Sequence, residues 1–278
     1  MAGHEGIGIA TKVGSGVQGV KEGDTVVPIA AGAGTWSKAS LVAGSGLASI
    51  EPLAGAEAKN IASVSASILP GVMARAMLDA SGAGEGDVII QTMGLGTVGM
   101  CVNAEAAARG IVVVNTHPDH PDWSELSAHV QGLNQAAMTL TEEIARSPEF
   151  ARVTSDLPRA KAVIDGAGGA AALQAAYALA PGGQVISYGN ASRRPLTLSY
   201  KQLLGQGISA RGFNVSLWAA EAGSAKVVEA VASSRQAAKE LTIGTGSLVP
   251  VQPEALEGWS QALQRASDPF GRQVVFVM

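Results

Sequence analysis

The residues best suited to chemistry form a glycine-rich turn, Gly94-Leu95-Gly96-Thr97-Val98-Gly99, directly after an apolar run at 88–91. In a G-x-G-x-x-G pattern between a strand and a helix, the first glycine permits a tight turn and the second lets a pyrophosphate approach the backbone. The third lets the helix and the strand pack closely. The helix N-terminus adds N–H groups and a partial positive charge for phosphates. The pattern therefore predicts dinucleotide binding, with a purely structural turn as the alternative.

The segment 116–122 leaves the choice between NAD and NADP open. NAD sites place an acidic residue about 20 residues beyond the glycines, and Asp119 lies near that offset. NADP sites usually carry an arginine there, and this segment has none. Either His117 or His120 could contact a 2′-phosphate, and a solvated histidine loop is the alternative interpretation.

A histidine between glycines, Gly3-His4-Glu5-Gly6, raises the question of a metal site. A catalytic zinc of the type that uses one histidine needs two cysteines as well, and a structural zinc needs four. The chain has one cysteine, Cys101, which falls on the helix after the glycine turn and so in another predicted domain. We therefore expect no zinc and predict no metal ligand.

Composition narrows the class of protein. The 278 residues are 47% hydrophobic and 15% charged, which describes a globular protein with a substantial core. A net charge of -4 gives no reason to expect nucleic acid or an acidic membrane as a partner. We find neither an uninterrupted apolar stretch of about 18 residues nor a secretory signal. A single cysteine excludes an intrachain disulfide.

From about residue 61 the sequence alternates between helices and short apolar strands. The predicted strands are 88–91, 111–115, 137–140, 162–165, 184–187 and 208–213, and the helices between and before them include 71–80, 98–109, 123–133 and 170–179. Continuously apolar strands separated by helices predict a parallel sheet covered on both faces. The pattern therefore predicts a doubly wound α/β domain.

The flanking segments are of a different kind. Residues 9–50 predict short strands at 9–13, 25–28, 35–41 and 47–50, a β-rich region too small for a full barrel. After residue 218 the sequence predicts a helix at 219–241, a strand at 248–251, a helix at 253–265 and a closing strand at 273–277.

With these motifs in order, the chain resembles the medium-chain dehydrogenase/reductase superfamily. Within it, the chain is most similar to the zinc-independent mitochondrial trans-2-enoyl-thioester reductases of fatty-acid synthesis. The resemblance extends almost end to end and rests on these motifs: Gly3-His4-Glu5-Gly6, Val13-Gly14-Ser15-Gly16-Val17, Gly23-Asp24, Gly32-Ala33-Gly34-Thr35-Trp36, Gly86-Asp87 with the glycine turn, Gly166-Ala167-Gly168-Gly169, Tyr188-Gly189-Asn190, Arg211-Gly212-Phe213 with Ser216 and Trp218, and Pro269-Phe270.

The resemblance implies a fold and a division into domains. It implies a Rossmann dinucleotide-binding domain at 65–218 and a partial GroES-like catalytic domain at 1–64, to which the chain returns at 219–278. The chain would then start inside the catalytic domain, as a shortened relative. The resemblance also implies a homodimer paired through the sheet edge at 208–213. It places the protein in mitochondria, with any targeting segment before Met1 and the cytoplasm as the alternative.

The resemblance also assigns cofactor contacts. The pyrophosphate would lie along Leu95-Gly96-Thr97-Val98, and the adenosine end near Asp119 and His120. Tyr188-Gly189-Asn190-Ala191 and Phe213-Asn214-Val215 would flank the nicotinamide, and Arg272 stands where the family tends to carry a lysine that holds the cofactor. In the alternative interpretation, Tyr188 and Phe213 are core residues at strand ends and Arg272 is a solvated charge.

The chain departs from the family at three places. The family's 2′-phosphate arginines fall on Pro118 and His120, and a cofactor-contacting asparagine is replaced by Leu69. The family's proton-donating tyrosine has no counterpart in this chain, so no catalytic residue is assigned.

The function implied is NADPH-dependent reduction of a trans-2-enoyl thioester, with NADH not excluded as the cofactor. Without the tyrosine we expect this reaction to be slow. Two alternatives stay open: a zinc-independent quinone oxidoreductase, and a shortened chain that binds a nucleotide or partners without catalysis.

Overall fold

The computed structural model describes residues 3–29, 32–55, 60–245, 251–255, 260–261, 264 and 273–277. It separates into two compact units, one formed by 1–73 with 214–278 and the other by 74–213. The domain limits implied by the resemblance stay predictions.

The first unit contains a small antiparallel sheet in the order β1-β2-β3, formed by β1 (Gly8–Ile9), β2 (Thr25–Pro28) and β3 (Leu47–Ile50). A long helix, α1 (Ile61–Ser81), follows. Residues of β2, β3 and α1 share one core. It includes Val27 of β2, Ala48 of β3, and Val64, Ile68 and Val72 of α1.

The predicted strand at 35–41 is wrong. Here the backbone makes a local turn, in which the Ser37 hydroxyl donates to the carbonyls of Gly34 and Ala39 at 2.6 and 2.9 Å. The N–H groups of Gly34 and Thr35 both donate to the Gly3 carbonyl. These bonds occupy backbone N–H and carbonyl groups that would pair with a neighbouring strand if 35–41 were a strand. Serine side chains compete in this way with regular secondary structure for backbone hydrogen bonds.

By length and apolar composition, α1 would pass as a membrane-spanning helix. However, 72% of its most apolar 18-residue window is buried inside the protein. Burial of this extent is typical of a helix in the core of a folded domain.

The second unit is built on a six-stranded parallel sheet. Its strands are β4 (Val88–Thr92), β5 (Val112–His117), β6 (Met138–Thr141), β7 (Ala160–Asp165), β8 (Leu179–Ser187) and β9 (Ser209–Gly212), in the order β6-β5-β4-β7-β8-β9. The helices are α2 (Thr97–Ala108), α3 (Trp123–Leu133), α4 (Glu142–Arg146), α5 (Glu149–Val153) and α6 (Gly169–Tyr177). The reversal of strand order at β4 places β5 and β7 on its two sides, which is the doubly wound topology.

The central strands β4, β5 and β7 are largely buried, whereas the four residues of the edge strand β9 are exposed. Val88, Ile90, Val114, Val163 and Val185 belong to one continuous core cluster. The predicted α/β class, a doubly wound parallel sheet with an additional β-rich region, is confirmed, and the strands of that region pair in antiparallel fashion. All six predicted strands and the helices between them occur, with ends shifted by a few residues.

The chain after Phe213 forms α7 (Val215–Ala222), α8 (Ser224–Thr245), β10 (Val251–Ala255) and β11 (Gln273–Val277). The single helix predicted at 219–241 is wrong, since Gly223, with φ +79°, separates α7 from α8. Residues 253–255, predicted as helix, lie in β10 and pair in parallel with β11. This pairing joins residues distant in sequence, which local helix propensity does not encode. The rest of the predicted helix is mostly outside the described residues, as are 248–250 of the predicted strand.

Candidate cofactor-binding site

The glycine-rich turn connects β4 to α2 at the carboxyl edge of the parallel sheet. The Gly94 N–H donates to the Thr116 carbonyl at 3.1 Å, which ties the turn to the end of β5. A Cβ at Gly99 would lie 2.5 Å from the Gly94 oxygen and 2.7 Å from the Met93 oxygen. Only glycine therefore lets α2 begin so close to the turn.

The N-terminus of α2 has the properties of a phosphate site. Gly96 is its N-cap residue, with an extended backbone and no side chain that could cap the helix. The first N–H groups of a helix have no partner within it, and the helix dipole favours negative charge at this end. Leu95 precedes the N-cap residue, and Thr97 and Val98 are the first residues of α2; their contact with a pyrophosphate stays a prediction.

Three fully buried amide side chains lie on the β5 side of the turn, and we call them the amide cluster: Gln91, Asn103 and Asn115. Asn115 Oδ1 accepts from Gln91 Nε2 and from Asn103 Nδ2, the latter at 3.0 Å. Gln91 Nε2 and Asn103 Nδ2 also donate to the Gly99 carbonyl, at 3.0 and 2.9 Å. The cluster therefore holds the last glycine of the motif by its carbonyl oxygen.

A second buried polar group lies between β4, β7 and β8, and we call it the carboxylate group: Thr92, Asp165 and Ser187. Asp165 Oδ1 accepts from the Thr92 hydroxyl at 2.8 Å and from the N–H groups of Ala167 and Gly168 at 3.1 and 2.9 Å. Its Oδ2 accepts from the Ser187 hydroxyl at 3.0 Å. The fully buried carboxylate therefore fixes the loop that leads from β7 into α6.

The segment Tyr188-Gly189-Asn190-Ala191 follows β8 and lies against this loop. The Tyr188 N–H donates to the Asp165 carbonyl at 2.8 Å, and the Ala191 N–H donates to the Gly166 carbonyl at 3.1 Å. A Cβ at Gly166 would lie 2.5 Å from the Tyr188 hydroxyl, so the phenol covers this glycine. Burial, and then the charge of Asp165, raise the pKa of Tyr188 far above its usual value. The phenol therefore stays neutral at physiological pH and is a poor proton donor.

The segment Phe213-Asn214-Val215 follows β9. The Phe213 N–H donates to the Ser187 carbonyl at 2.8 Å, at the same edge of the sheet as Tyr188. The Asn214 side chain caps α7 by accepting from the N–H groups of Ser216 and Leu217. Val215 packs against the apolar core of the first unit. In this structure the side chains of Asn214 and Val215 have structural contacts of their own.

The end of β5 borders an open cleft of about 410 Å³. It is lined by Pro118, Asp119, Glu142, Glu143, Arg146 and Ser147. Asp119 is exposed, and its Oδ1 accepts from the His120 N–H. Arg146 forms an ion pair with Glu142 across one turn of α4. The cleft thus combines three carboxylates with one guanidinium at the place where a dinucleotide-binding fold holds its adenosine ribose.

The remaining sequence-based expectations concern His4 and Arg272. His4 is exposed, and its Nδ1 accepts from the Gly32 N–H at 3.1 Å. Within the part of the chain that the structure describes, no group of three or more histidine, cysteine, aspartate or glutamate side chains is arranged to hold a metal. Arg272 lies outside the described residues.

Comparison with known proteins adds to this geometry. No protein-family model matches the chain. The mitochondrial enoyl-[acyl-carrier-protein] reductase of Rattus norvegicus is 32% identical over 275 residues, which are 97% of this chain and 70% of the rat protein. The chain belongs to the family of mitochondrial enoyl-[acyl-carrier-protein] reductases. The resemblance read from the motifs is confirmed, and the chain is an oxidoreductase of the enoyl reductase class.

Solved structures agree on the fold of this enoyl reductase family member. The Etr1p/NADP/crotonyl-CoA complex has a TM-score of 0.79 at 21% identity, over 98% of this chain and 79% of that one. A quinone oxidoreductase from Pseudomonas syringae pv. tomato has a TM-score of 0.77 at 21% identity, over 99% of this chain and 81% of that one. At such identities the similarity establishes the medium-chain dehydrogenase/reductase fold.

The structure shows the surroundings of the residues at which the chain departs from the enoyl reductase family. Leu69, in place of the family's asparagine, is buried in the apolar core of the first unit and offers no polar group. Pro118 and His120, in place of the family's arginines, lie beside the cleft that Arg146 also lines.

Sequence reasoning missed Arg146, the amide cluster and the carboxylate group. The sequence contains one indication of the amide cluster and the carboxylate group: the apolar strands β4, β5 and β7 end in polar residues.

Proposed function

We propose that the chain catalyses NADPH-dependent reduction of a trans-2-enoyl thioester. The observation that carries the proposal is the glycine turn at 94–99, which leads into an α2 N-terminus that no side chain caps. It occurs in a chain that is 32% identical to the rat enoyl reductase over 97% of its own length. When bound, a dihydronicotinamide dinucleotide would supply the hydride for the β-carbon of the enoyl group, and the α-carbon would take up a proton.

The chain's own residues bind and orient in this mechanism. Backbone N–H groups at the start of α2 receive the pyrophosphate oxygens. Tyr188, Gly189, Asn190, Ala191 and Phe213, on the loops at the carboxyl ends of β8 and β9, line the nicotinamide side. Asn214, Val215 and Arg272 are the further cofactor contacts that the family resemblance assigns.

Proton delivery to the α-carbon requires a group other than Tyr188. The Tyr188 phenol holds its proton firmly, because burial and then the charge of Asp165 raise its pKa. We therefore propose that Tyr188 packs against Gly166 and is not the acid of this step.

A quinone oxidoreductase is the second candidate. Reduction of a quinone depends less on a positioned carbon acid, and a quinone oxidoreductase shares the fold of this chain with a TM-score of 0.77. An enoyl reductase and a quinone oxidoreductase should give opposite results when the same cofactor-oxidation assay is run with an enoyl thioester and with a quinone.

The decisive assay follows cofactor oxidation by the chain with a medium-length trans-2-enoyl-CoA and, separately, with a quinone. Consumption of the enoyl thioester above the no-enzyme rate supports the proposal. Fast quinone turnover without enoyl turnover supports the alternative. A chain that binds neither NADPH nor NADH is not an enzyme of either kind.

Cofactor choice rests on the cleft at the end of β5. A guanidinium can bind a phosphate through two N–H groups, so Arg146 is the group that would receive a 2′-phosphate. Asp119 and Glu143 lie in the same cleft and repel that phosphate. We therefore propose a preference for NADPH that is narrow and depends on Arg146.

The variant Arg146→Ala tests this assignment. We expect the Kd for NADPH, measured by cofactor fluorescence, to rise about tenfold, which corresponds to about 1.4 kcal/mol. The Kd for NADH should stay unchanged, because NADH has a hydroxyl in place of the phosphate. Equal losses for the two cofactors would show that Arg146 supports the cleft without reading the 2′-position.

Assembly and location complete the proposal. All four residues of β9, at one edge of the six-stranded sheet, are exposed, which supports a homodimer that joins two sheets at this edge. The mitochondrial relatives support a mitochondrial location. Sedimentation of the purified chain would test the first, since a monomer at micromolar concentration contradicts it.

A further inference from the structure

The amide cluster contacts both ends of the glycine motif. At one end, Gln91 and Asn103 donate to the Gly99 carbonyl. At the other end, a Cβ added to Gly94 would lie 2.6 Å from Asn115 Cβ and 2.5 Å from its Oδ1. The first glycine therefore rests directly on the Asn115 side chain.

Asn115 is itself held from several directions. Its Nδ2 donates to Asn103 Oδ1 at 3.1 Å and to the Met138 carbonyl at 3.3 Å, and its Oδ1 accepts from the other two members of the cluster. Its side chain has therefore little freedom to move aside. Because each buried donor or acceptor that loses its partner costs about 1–3 kcal/mol, these hydrogen bonds favour one arrangement of the turn.

We propose that Asn115 is a positioning residue for the phosphate-binding turn, and that Gly94 is required because Asn115 occupies the space of its side chain. The inference rests on the proposed function in one respect, the binding of a dinucleotide at this turn. Asn115 fixes the position of the Gly94 backbone by direct contact, and it fixes the Gly99 carbonyl through Gln91 and Asn103. The backbone N–H groups at the start of α2 are then held in one geometry toward the pyrophosphate.

The alternative is that the cluster only fills the core. In that case substitutions at residues 94 and 115 would lower stability independently, and the loss of cofactor affinity would add up. If Asn115 positions the turn through Gly94, the two substitutions must instead compensate each other, because contacting residues couple and distant ones do not.

The experiment is a double-mutant cycle with Gly94→Ala and Asn115→Gly, because only glycine at position 115 removes the Cβ that would lie 2.6 Å from the new methyl group. The probe is ADP-ribose, which carries the pyrophosphate but neither the nicotinamide nor a 2′-phosphate, and NADPH is measured beside it. We expect Gly94→Ala to weaken ADP-ribose binding about tenfold or more, and Asn115→Gly to weaken it by less. The double variant should bind more tightly than Gly94→Ala by about fivefold, since the new methyl group fills the vacated space.

Gly99→Ala is the matched control. Its Cβ would meet the backbone of Gly94 and Met93 and not the side chain of residue 115. It should therefore weaken binding, and Asn115→Gly should fail to restore it. The melting temperature of each variant shows which proteins are folded. If Asn115→Gly does not fold, Asn115→Ala replaces it in the cycle; this variant removes Oδ1 and Cγ but keeps Cβ, so it should restore only part of the binding lost in Gly94→Ala.

Three outcomes overturn the inference. If the losses of Gly94→Ala and Asn115→Gly simply add, Asn115 does not act through Gly94. If Asn115→Gly rescues Gly99→Ala equally well, the effect is a general loosening of the site. If the unmodified chain binds neither ADP-ribose nor NADPH, the proposed function fails together with the inference, whereas binding without coupling overturns the inference alone.

Discussion

Neighbouring residues of strand β4 lead to two different polar environments. Gln91 points into the amide cluster on the side of β5 and α2, and Thr92 points to Asp165 on the side of β7. Successive side chains of a strand face opposite ways, which is how one strand supplies both. All four of Gln91, Thr92, Asn115 and Asp165 are almost fully buried, yet only one environment contains a charge.

The difference reflects what each environment supports. The amide cluster lies beneath the turn that would receive a pyrophosphate, where a fixed negative charge would repel the ligand. Amides hold the Gly99 carbonyl without adding charge. Asp165 holds backbone N–H groups of the loop after β7, and these groups are best satisfied by an acceptor that carries negative charge. The charge of each group therefore matches the atoms that it holds.

Placing a charge in the amide cluster should have the largest effect. Gln91→Glu keeps the shape of the side chain but replaces a donor with an acceptor facing the oxygens of Gly99 and Asn115. We expect a loss of about 3–5 kcal/mol in the free energy of unfolding, since an uncompensated charge is buried. Urea denaturation at neutral pH measures it.

Gln91→Met is the control for this prediction. It removes the same hydrogen bonds without introducing repulsion, so it should cost about 1–2 kcal/mol. If Gln91→Glu and Gln91→Met lower the free energy of unfolding by the same amount, the absence of charge in the amide cluster does not contribute to stability.

Removing the charge from the carboxylate group should have a smaller effect. Asp165→Asn keeps an oxygen that accepts from Thr92 and from the N–H groups of Ala167 and Gly168, and Ser187 can turn to accept from the new amide. We expect a loss of about 1–2 kcal/mol, from weaker bonds to a neutral acceptor. The measurement is again urea denaturation.

Asp165→Ala is the comparison for this result. It removes the acceptor of the Thr92 hydroxyl and of the Gly168 N–H, while Ala167 and Ser187 keep their bonds to Thr92 Oγ1 and the Gly189 carbonyl. It should therefore cost more stability than the asparagine variant. A larger loss for Asp165→Asn than for Gln91→Glu would reverse the comparison between the two environments.

The parts of the fold that the sequence predicted well depend on local pattern. Helix α3 begins at Trp123 and ends at Leu133 as predicted, and the glycine turn is recognisable from six adjacent residues. The strand expected at 35–41 failed because serine hydroxyls there satisfy the backbone locally. The break at Gly223 was missed because one glycine inside a helical pattern does not by itself end a helix.

The polar groups of the site could not be predicted in this way, because their partners come from distant segments. Thr92 meets Asp165 only because β4 and β7 are neighbours in the sheet, and Asn115 meets Gln91 only because β5 lies on the other side. Arg146 lines the adenosine cleft because α4 directly follows β6, next to β5. Strand order, which local sequence does not state, decides all three.

The smallest expected effect on stability concerns His117, the last residue of β5, the strand that also carries Asn115 of the uncharged amide cluster. Burial is the main cause that lowers its pKa from 6.5, with His120 adding to the shift, while its contact with the Pro118 carbonyl and the charge of Glu142 oppose it. Because the folded state binds this proton less readily than the unfolded state, stability should fall as the pH drops below about 6.5. His117→Gln should reduce this slope in urea denaturation between pH 7 and about 5, and His120→Gln, in the same loop, should largely retain it. An unchanged slope in His117→Gln would mean that β5 tolerates a charge at its end, and that the requirement for neutrality is confined to the amide cluster.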